Sequence, residues 1–204
     1  MNASGDRLFV AVVGARNSGK STTWNTLFGR QVNTGKKPRR LDLLPPERTI
    51  VSLVDKSVSP QPAVGRSLPS RPYLDVFLVS GSNEEKKRYA QKVLEDVDCS
   101  IVLCSVQYNA EAFERTWNFV FEQGFQVYVQ WLNPGYRADE SYDHLGLVNH
   151  LLSKRALVSM RDGRENLSER TEEIRQFIYG WAAARGLVGS SAQTLSDYIP
   201  ASLE

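Results

Sequence analysis

Gly14, Gly19, Lys20 and Ser21 hold the four fixed positions of a G-x-x-x-x-G-K-[ST] segment, Gly14-Ala15-Arg16-Asn17-Ser18-Gly19-Lys20-Ser21. Glycines at this spacing let the backbone curl until successive N–H groups point inward, a geometry that cradles phosphate oxygens. The lysine supplies charge to β and γ phosphates, and the hydroxyl after it can ligate Mg2+. A helix starting here would turn its positive end on the same anion. Gly14, Asn17, Ser18, Gly19, Lys20, Ser21 and Thr22 are therefore the expected phosphate-binding residues. Lys20 also has an expected catalytic role, and the expected ligands are Mg2+ with GTP or ATP.

Such a loop works only when a strand and a helix hold it. Residues 8–13 are an apolar, β-branched-rich run ending at Gly14, as expected of a buried parallel strand, and residues 20–28 read as a helix closed by Gly29. Residues 31–48 are polar, basic and proline-containing, which predicts an irregular connection. Strands are expected at 50–58, 73–79, 99–106, 125–132 and 156–160. Helices are expected at 84–97, 110–123 (stopped by Gly124), 141–154 and 167–185 (opened by Asn166, ended by Gly186). Alternating strands and helices predict a three-layer α/β sandwich. Its sheet is expected to be six-stranded and mostly parallel, with one antiparallel edge strand and about five helices. Residues 1–189 read as a single domain and residues 190–204 as a flexible tail.

The chain has 204 residues, a hydrophobic fraction of 41% and a net charge of +2, which is too small to imply a polyanion partner. Its one dense basic cluster, Lys36-Lys37-Pro38-Arg39-Arg40, contains no aromatic residue and reads as a solvated loop, so no strong nucleic-acid signal exists. No apolar run approaches the roughly 20 residues that span a bilayer. The run at 8–13 is too short for the core of a signal peptide. With Cys99 and Cys104 read as reduced core residues, a cytoplasmic location is expected. His144 and His150 lie six apart, off the spacing of a shared metal face. Trp117, Trp131 and Trp181 read as core, with Trp131 at a strand end alternatively lining a base pocket.

With the phosphate loop first in this element order, residues 7–186 resemble the Ras-like GTPase fold of the P-loop NTPases. The run Ser21-Thr22-Thr23-Trp24-Asn25-Thr26-Leu27-Phe28-Gly29 is similar to the Ser-Thr-x-x-Asn-x-Leu-x-Gly run of Era- and septin-related GTPases. The resemblance implies a threonine in the next loop that closes on Mg2+; Thr49 is one candidate and Thr34 another. Later motifs depart from the family. Asp-x-x-Gly is replaced by Leu78-Val79-Ser80-Gly81, and Glu84 stands where a residue could orient water, or else begins a helix with acidic residues. Asn-Lys-x-Asp becomes Asn133-Pro134-Gly135-Tyr136, which keeps Asn133 as a brace or base contact and loses the guanine-pairing aspartate. Ser-Ala-Lys survives as Ser159-Met160-Arg161. A retained triphosphate grip with altered hydrolytic and base-reading parts implies a slow NTP hydrolase or nucleotide-dependent switch. Such a switch would order residues 31–49 and the segment from Gly81 for a protein partner that reads the nucleotide state. The alternatives are a non-hydrolysing nucleotide-binding interaction module and a small kinase using Arg161, Arg164 and Arg170 as a lid.

Overall fold

Seven consecutive buried residues form β1 (Leu8–Gly14), and alternation along it divides the molecule into layers. Phe9, Ala11 and Val13 face one apolar cluster, while Leu8, Val10 and Val12 face another. This is the period-two pattern of a strand covered on both sides. The computed structural model describes residues 7–44, 71–140 and 142–191. Around β1 it arranges β2 (Arg39–Asp42), β3 (Arg71–Val79), β4 (Ile101–Gln107), β5 (Gln126–Leu132), β6 (Leu157–Arg161) and β7 (Gly189–Ser191). The sheet order is β2-β3-β4-β1-β5-β6, with β7 also pairing with β3. Five strands are mutually parallel, and both β2 and β7 run antiparallel to β3.

On one face α1 (Lys20–Leu27) contributes Trp24 and Leu27, and α5 (Leu167–Ala183) contributes Ile174, Ile178, Trp181 and Ala182. On the other lie α2 (Ala90–Leu94), a π-helical turn (Phe113–Trp117) running into α3 (Asn118–Glu122), and α4 (Leu147–Ser153). These elements bury Ala90, Leu94, Trp117, Val120, Leu147 and Leu151 against the sheet. No helix among the described residues is long and apolar enough to cross a membrane.

Among the described residues, the α/β architecture with a mostly parallel sheet and five α-helices agrees with expectation, while several details differ. The sheet there has seven strands, not six, and two of them are antiparallel rather than one. The connection expected to be irregular at 31–48 contains β2, where Leu41 is buried and Arg40 stacks over Tyr73 with its guanidinium carbon 4.2 Å from the ring centre. The basic cluster is therefore partly strand. The expected tail begins with β7, where Gly189 faces Tyr73 in the ladder. The helix expected at 84–97 is reduced to Ala90–Leu94, and the one expected at 141–154 to Leu147–Ser153. The expected strand at 50–58 and the rest of the tail lie outside the described residues.

The longest helix, α5, begins as predicted, with the Asn166 side chain accepting a bond from Ser168 N at 3.0 Å. Gly180 lies in its interior, exposed, with nothing within 4 Å of the position of an added Cβ. Gly180→Ala is expected to stabilise the protein by about 0.5–1 kcal/mol, because alanine loses less backbone entropy in a helix. A rise in the thermal midpoint would show it; a fall would mean that the site is not open.

Candidate functional site

Parallel strands place all their carboxyl ends on one edge of the sheet, and there the loop after β1 opens into a cleft of about 730 Å3. Its lining comes from four strand ends: Arg16 to Thr22 after β1, Glu85 after β3, Gln107 at the end of β4, and Tyr136 and Arg137 after β5. Of the residues expected to hold phosphate, Asn17, Ser18, Gly19, Lys20, Ser21 and Thr22 all line it. Gly14 ends β1 beneath them, where an added Cβ would lie 2.8 Å from Ser18 Cβ.

Asn17 (φ 63) and Gly19 (φ 98) are both left-handed, which turns the chain sharply before α1 begins. Gly19 caps the helix without a side chain, so no side-chain cap competes for the first-turn N–H groups. Lys20 is only 6% exposed, and its Nζ donates to Gly14 O (3.0 Å) and Ala15 O (2.7 Å). Burial pushes the ammonium below its ordinary value, while the charges of Glu85 and Glu84 pull it back. Ser21 Oγ donates to Ser80 O at 3.2 Å, and that carbonyl also accepts from Ser105 Oγ at 2.8 Å.

The segment from Asn133 to Arg137 clasps the loop from outside. Tyr136 N donates to Ser18 O (3.1 Å) and Arg137 N to Asn17 O (3.2 Å). Asn133 N donates to Arg161 O (2.9 Å), tying this segment to the end of β6, and Gly163 N donates to Pro134 O (2.7 Å). Asn133 joins this segment to the end of β6 and is not among the residues lining the cleft.

With this geometry in place, comparison with known proteins adds nothing further. No family model, curated protein or solved structure matches the chain.

Three expected site residues are placed elsewhere. Glu84 is 4% exposed and turned inward: its carboxylate accepts from Gln107 N (3.0 Å) and Thr116 Oγ1 (2.7 Å), and its neighbour Glu85 takes the place in the cleft. A carboxylate so engaged positions Gln107 and does not orient water. Ser159 donates its hydroxyl to Glu173 Oε1 (2.7 Å) on α5, within a cluster that includes Tyr128 and Arg161. Trp131 is 2% exposed and stacked on Tyr108 at 5.0 Å, a core residue and not a wall of the cleft. Thr49 lies outside the described residues. Thr34, the other threonine candidate, accepts a bond from Ser80 N at 3.0 Å. The arginines considered for a lid are held apart from the cleft: Arg161 pairs with Glu173, Arg164 reaches Ala138 O, and Arg170 is buried against Thr23.

The cleft residues that sequence reasoning missed are Arg16, Glu85, Gln107, Tyr136 and Arg137. Gln107 had a usable signal, since it ends the strand beside β1. Glu85 had none, because two adjacent glutamates at a turn differ only in which way the turn faces them.

Glu84→Ala is expected to cost about 1–3 kcal/mol, because it leaves the buried Thr116 hydroxyl and the part-buried Gln107 N–H without their acceptor. Glu84→Gln retains a carbonyl acceptor and should recover most of that loss. Denaturant unfolding of both variants measures this; unchanged stability of Glu84→Ala would show that the carboxylate is not held as described.

Proposed function

We propose that this protein binds a nucleoside triphosphate with Mg2+ through its phosphate loop, and acts as a slow NTP hydrolase or nucleotide-dependent switch of the P-loop, GTPase-like kind. The observation that carries this reading is the loop itself. A G-x-x-x-x-G-K-S segment runs from a fully buried strand into an uncapped helix, with its lysine and serine opening on a cleft. Its backbone donors, a helix N-terminus and one buried ammonium converge there, a donor set suited to a multiply charged anion.

Mg2+ fits the residues present when a phosphate brings it. The ion takes near-octahedral oxygen ligands and keeps several waters, using one or two protein groups plus phosphate oxygens. The Ser21 hydroxyl and the Glu85 carboxylate both line the cleft, and Glu85 is the one carboxylate among the described residues lining it. No group of three or more His, Cys, Asp or Glu side chains able to hold a metal occurs among the described residues, so a cage made wholly of protein is not the design. Bound Mg2+ would neutralise charge on the phosphates, while Lys20 would exchange its two backbone carbonyls for phosphate oxygens.

A second reading, a module that holds nucleotide without hydrolysing it, is favoured by one observation. The position of the missing motif aspartate is Leu78, a buried apolar residue; nearby Ser80 has its carbonyl and N–H engaged by Ser21, Ser105 and Thr34, and Glu84 is withdrawn from the cleft. Calorimetric titration of ATP and GTP with Mg2+, with phosphate release followed in the same samples, separates the two. Binding with slow release is the expected result, and binding without release over hours selects the module. Failure of both nucleotides to bind would overturn the proposal.

A further inference from the structure

Two kinds of surface line the cleft. The loop after β1 supplies Lys20, Ser21 and the start of α1, and the segment after β5 supplies Tyr136 and Arg137. Tyr136 is the one aromatic side chain among the described residues lining the cleft, and beside it the chain has closed the interior route. Gly135 and Gly163 press against the phosphate loop: a Cβ on Gly135 would lie 2.6 Å from Ser18 Cβ, and one on Gly163 2.8 Å from Tyr136 N and 2.9 Å from Ser18 O. The three backbones are in contact and leave no slot for an aromatic ring between them.

The backbone N–H groups of Tyr136 and Arg137 are already engaged by Ser18 O and Asn17 O, which removes them as readers of a base edge. On this segment what remains is the Tyr136 side chain, 58% exposed, with the Arg137 guanidinium carbon 5.7 Å from the centre of its ring. Strong discrimination between bases requires buried polar groups that are left unpaired by the wrong one. A half-exposed ring offers instead a π face, on which every base can stack. The one carboxylate among the described residues lining the cleft, Glu85, sits close enough to Lys20 to affect its charge, and so belongs with the loop after β1.

We propose that the site recognises its ligand by the triphosphate and stacks the base on Tyr136 without reading its edge, so that it accepts purine nucleoside triphosphates with little regard to which purine they carry. The inference rests on the triphosphate reading above. ATP, GTP and inorganic tripolyphosphate, each with Mg2+, are titrated calorimetrically into the full chain and into Tyr136→Ala and Tyr136→Phe. For the wild type, ATP and GTP should bind within about five-fold of each other, and about ten-fold tighter than tripolyphosphate, the worth of one stacked base. Tyr136→Ala should bring both nucleotides to the level of tripolyphosphate while leaving tripolyphosphate unchanged, and Tyr136→Phe should behave as the wild type. A preference of about a hundred-fold or more for one purine, the discrimination of an edge-reading site, would overturn the inference. So would a Tyr136→Ala variant that binds nucleotides normally, or that weakens tripolyphosphate equally. Binding of tripolyphosphate in either case leaves the triphosphate reading standing, whereas absence of all binding removes both.

Discussion

Lys20→Ala is expected to weaken Mg2+-triphosphate binding by at least about a hundred-fold, while the folded structure persists. A hydrogen bond to a charged group is worth about 1.5–3 kcal/mol, and the ammonium can reach two phosphates. Part of that gain is offset, because Lys20 must first release Gly14 O and Ala15 O. The net loss corresponds to about two powers of ten in affinity. The lysine is almost fully buried and held below its ordinary pKa by that burial, so its charge is poorly solvated in the free protein. An anion relieves this desolvation, which makes the effect larger than for a surface lysine. Calorimetry beside a thermal melt measures it. Affinity within three-fold of the wild type, with an intact melt, would show that the phosphates do not sit where the loop suggests.

Gly163→Ala should damage stability and affinity together. All three atoms nearest the new methyl are backbone: Tyr136 N at 2.8 Å, Ser18 O at 2.9 Å and Gly135 C at 3.1 Å. A flexible side chain could swing aside, but here three chain segments must move, and overpacking of this kind costs about 1–3 kcal/mol. The displaced segments are the phosphate loop and the clasp that bonds to Asn17 O and Ser18 O, so the backbone donors that face the ligand shift with them. A ten-fold or greater loss of triphosphate affinity is expected on the general sensitivity of pre-organised sites to displacements of about 1 Å. Gly180→Ala, where the added methyl meets nothing, is the matched control. Wild-type melting and binding in Gly163→Ala would mean that these loops yield readily and that the clasp has no part in holding the site.

A second junction, at Ser80, bears on how a switch would work. Ser80 joins three segments at once: its carbonyl accepts from Ser21 of the phosphate loop and Ser105 of β4, and its N–H donates to Thr34. Ligation of a phosphate-borne metal by Ser21 would redirect that hydroxyl away from Ser80 O. The change would be felt at the end of β3 and, through Thr34, in the chain leading to β2. Coupling between ligand and this part of the sheet thus has a physical carrier in a small set of shared hydrogen bonds.

Local chemistry settled much of this protein without any tertiary information. The buried strand β1, the left-handed turn after it and the Asn166 cap are legible because each depends on residues only a few positions apart. The stops at Gly29, Gly124 and Gly186, all with positive φ, belong with them. The alternation of strands and helices then dictated a mostly parallel sheet, and with it the edge where the strand ends gather. What tertiary structure decided was pairing and facing. Strand β2, Arg39-Arg40-Leu41-Asp42, has one buried apolar residue and becomes a strand because β3 offers it an edge; β7, Gly-Ser-Ser, has still less strand character of its own. Trp131 faces the core because it shares the parity of Val127 and Val129. Glu85 and not Glu84 lines the cleft because the turn after β3 points Glu84 at Gln107 and Thr116 and Glu85 at the cleft. Tyr136 and Arg137 enter the site because their backbone docks on the phosphate loop across more than a hundred residues of sequence. A composition or a period carries no record of such contacts, since their energy arises only when distant segments meet.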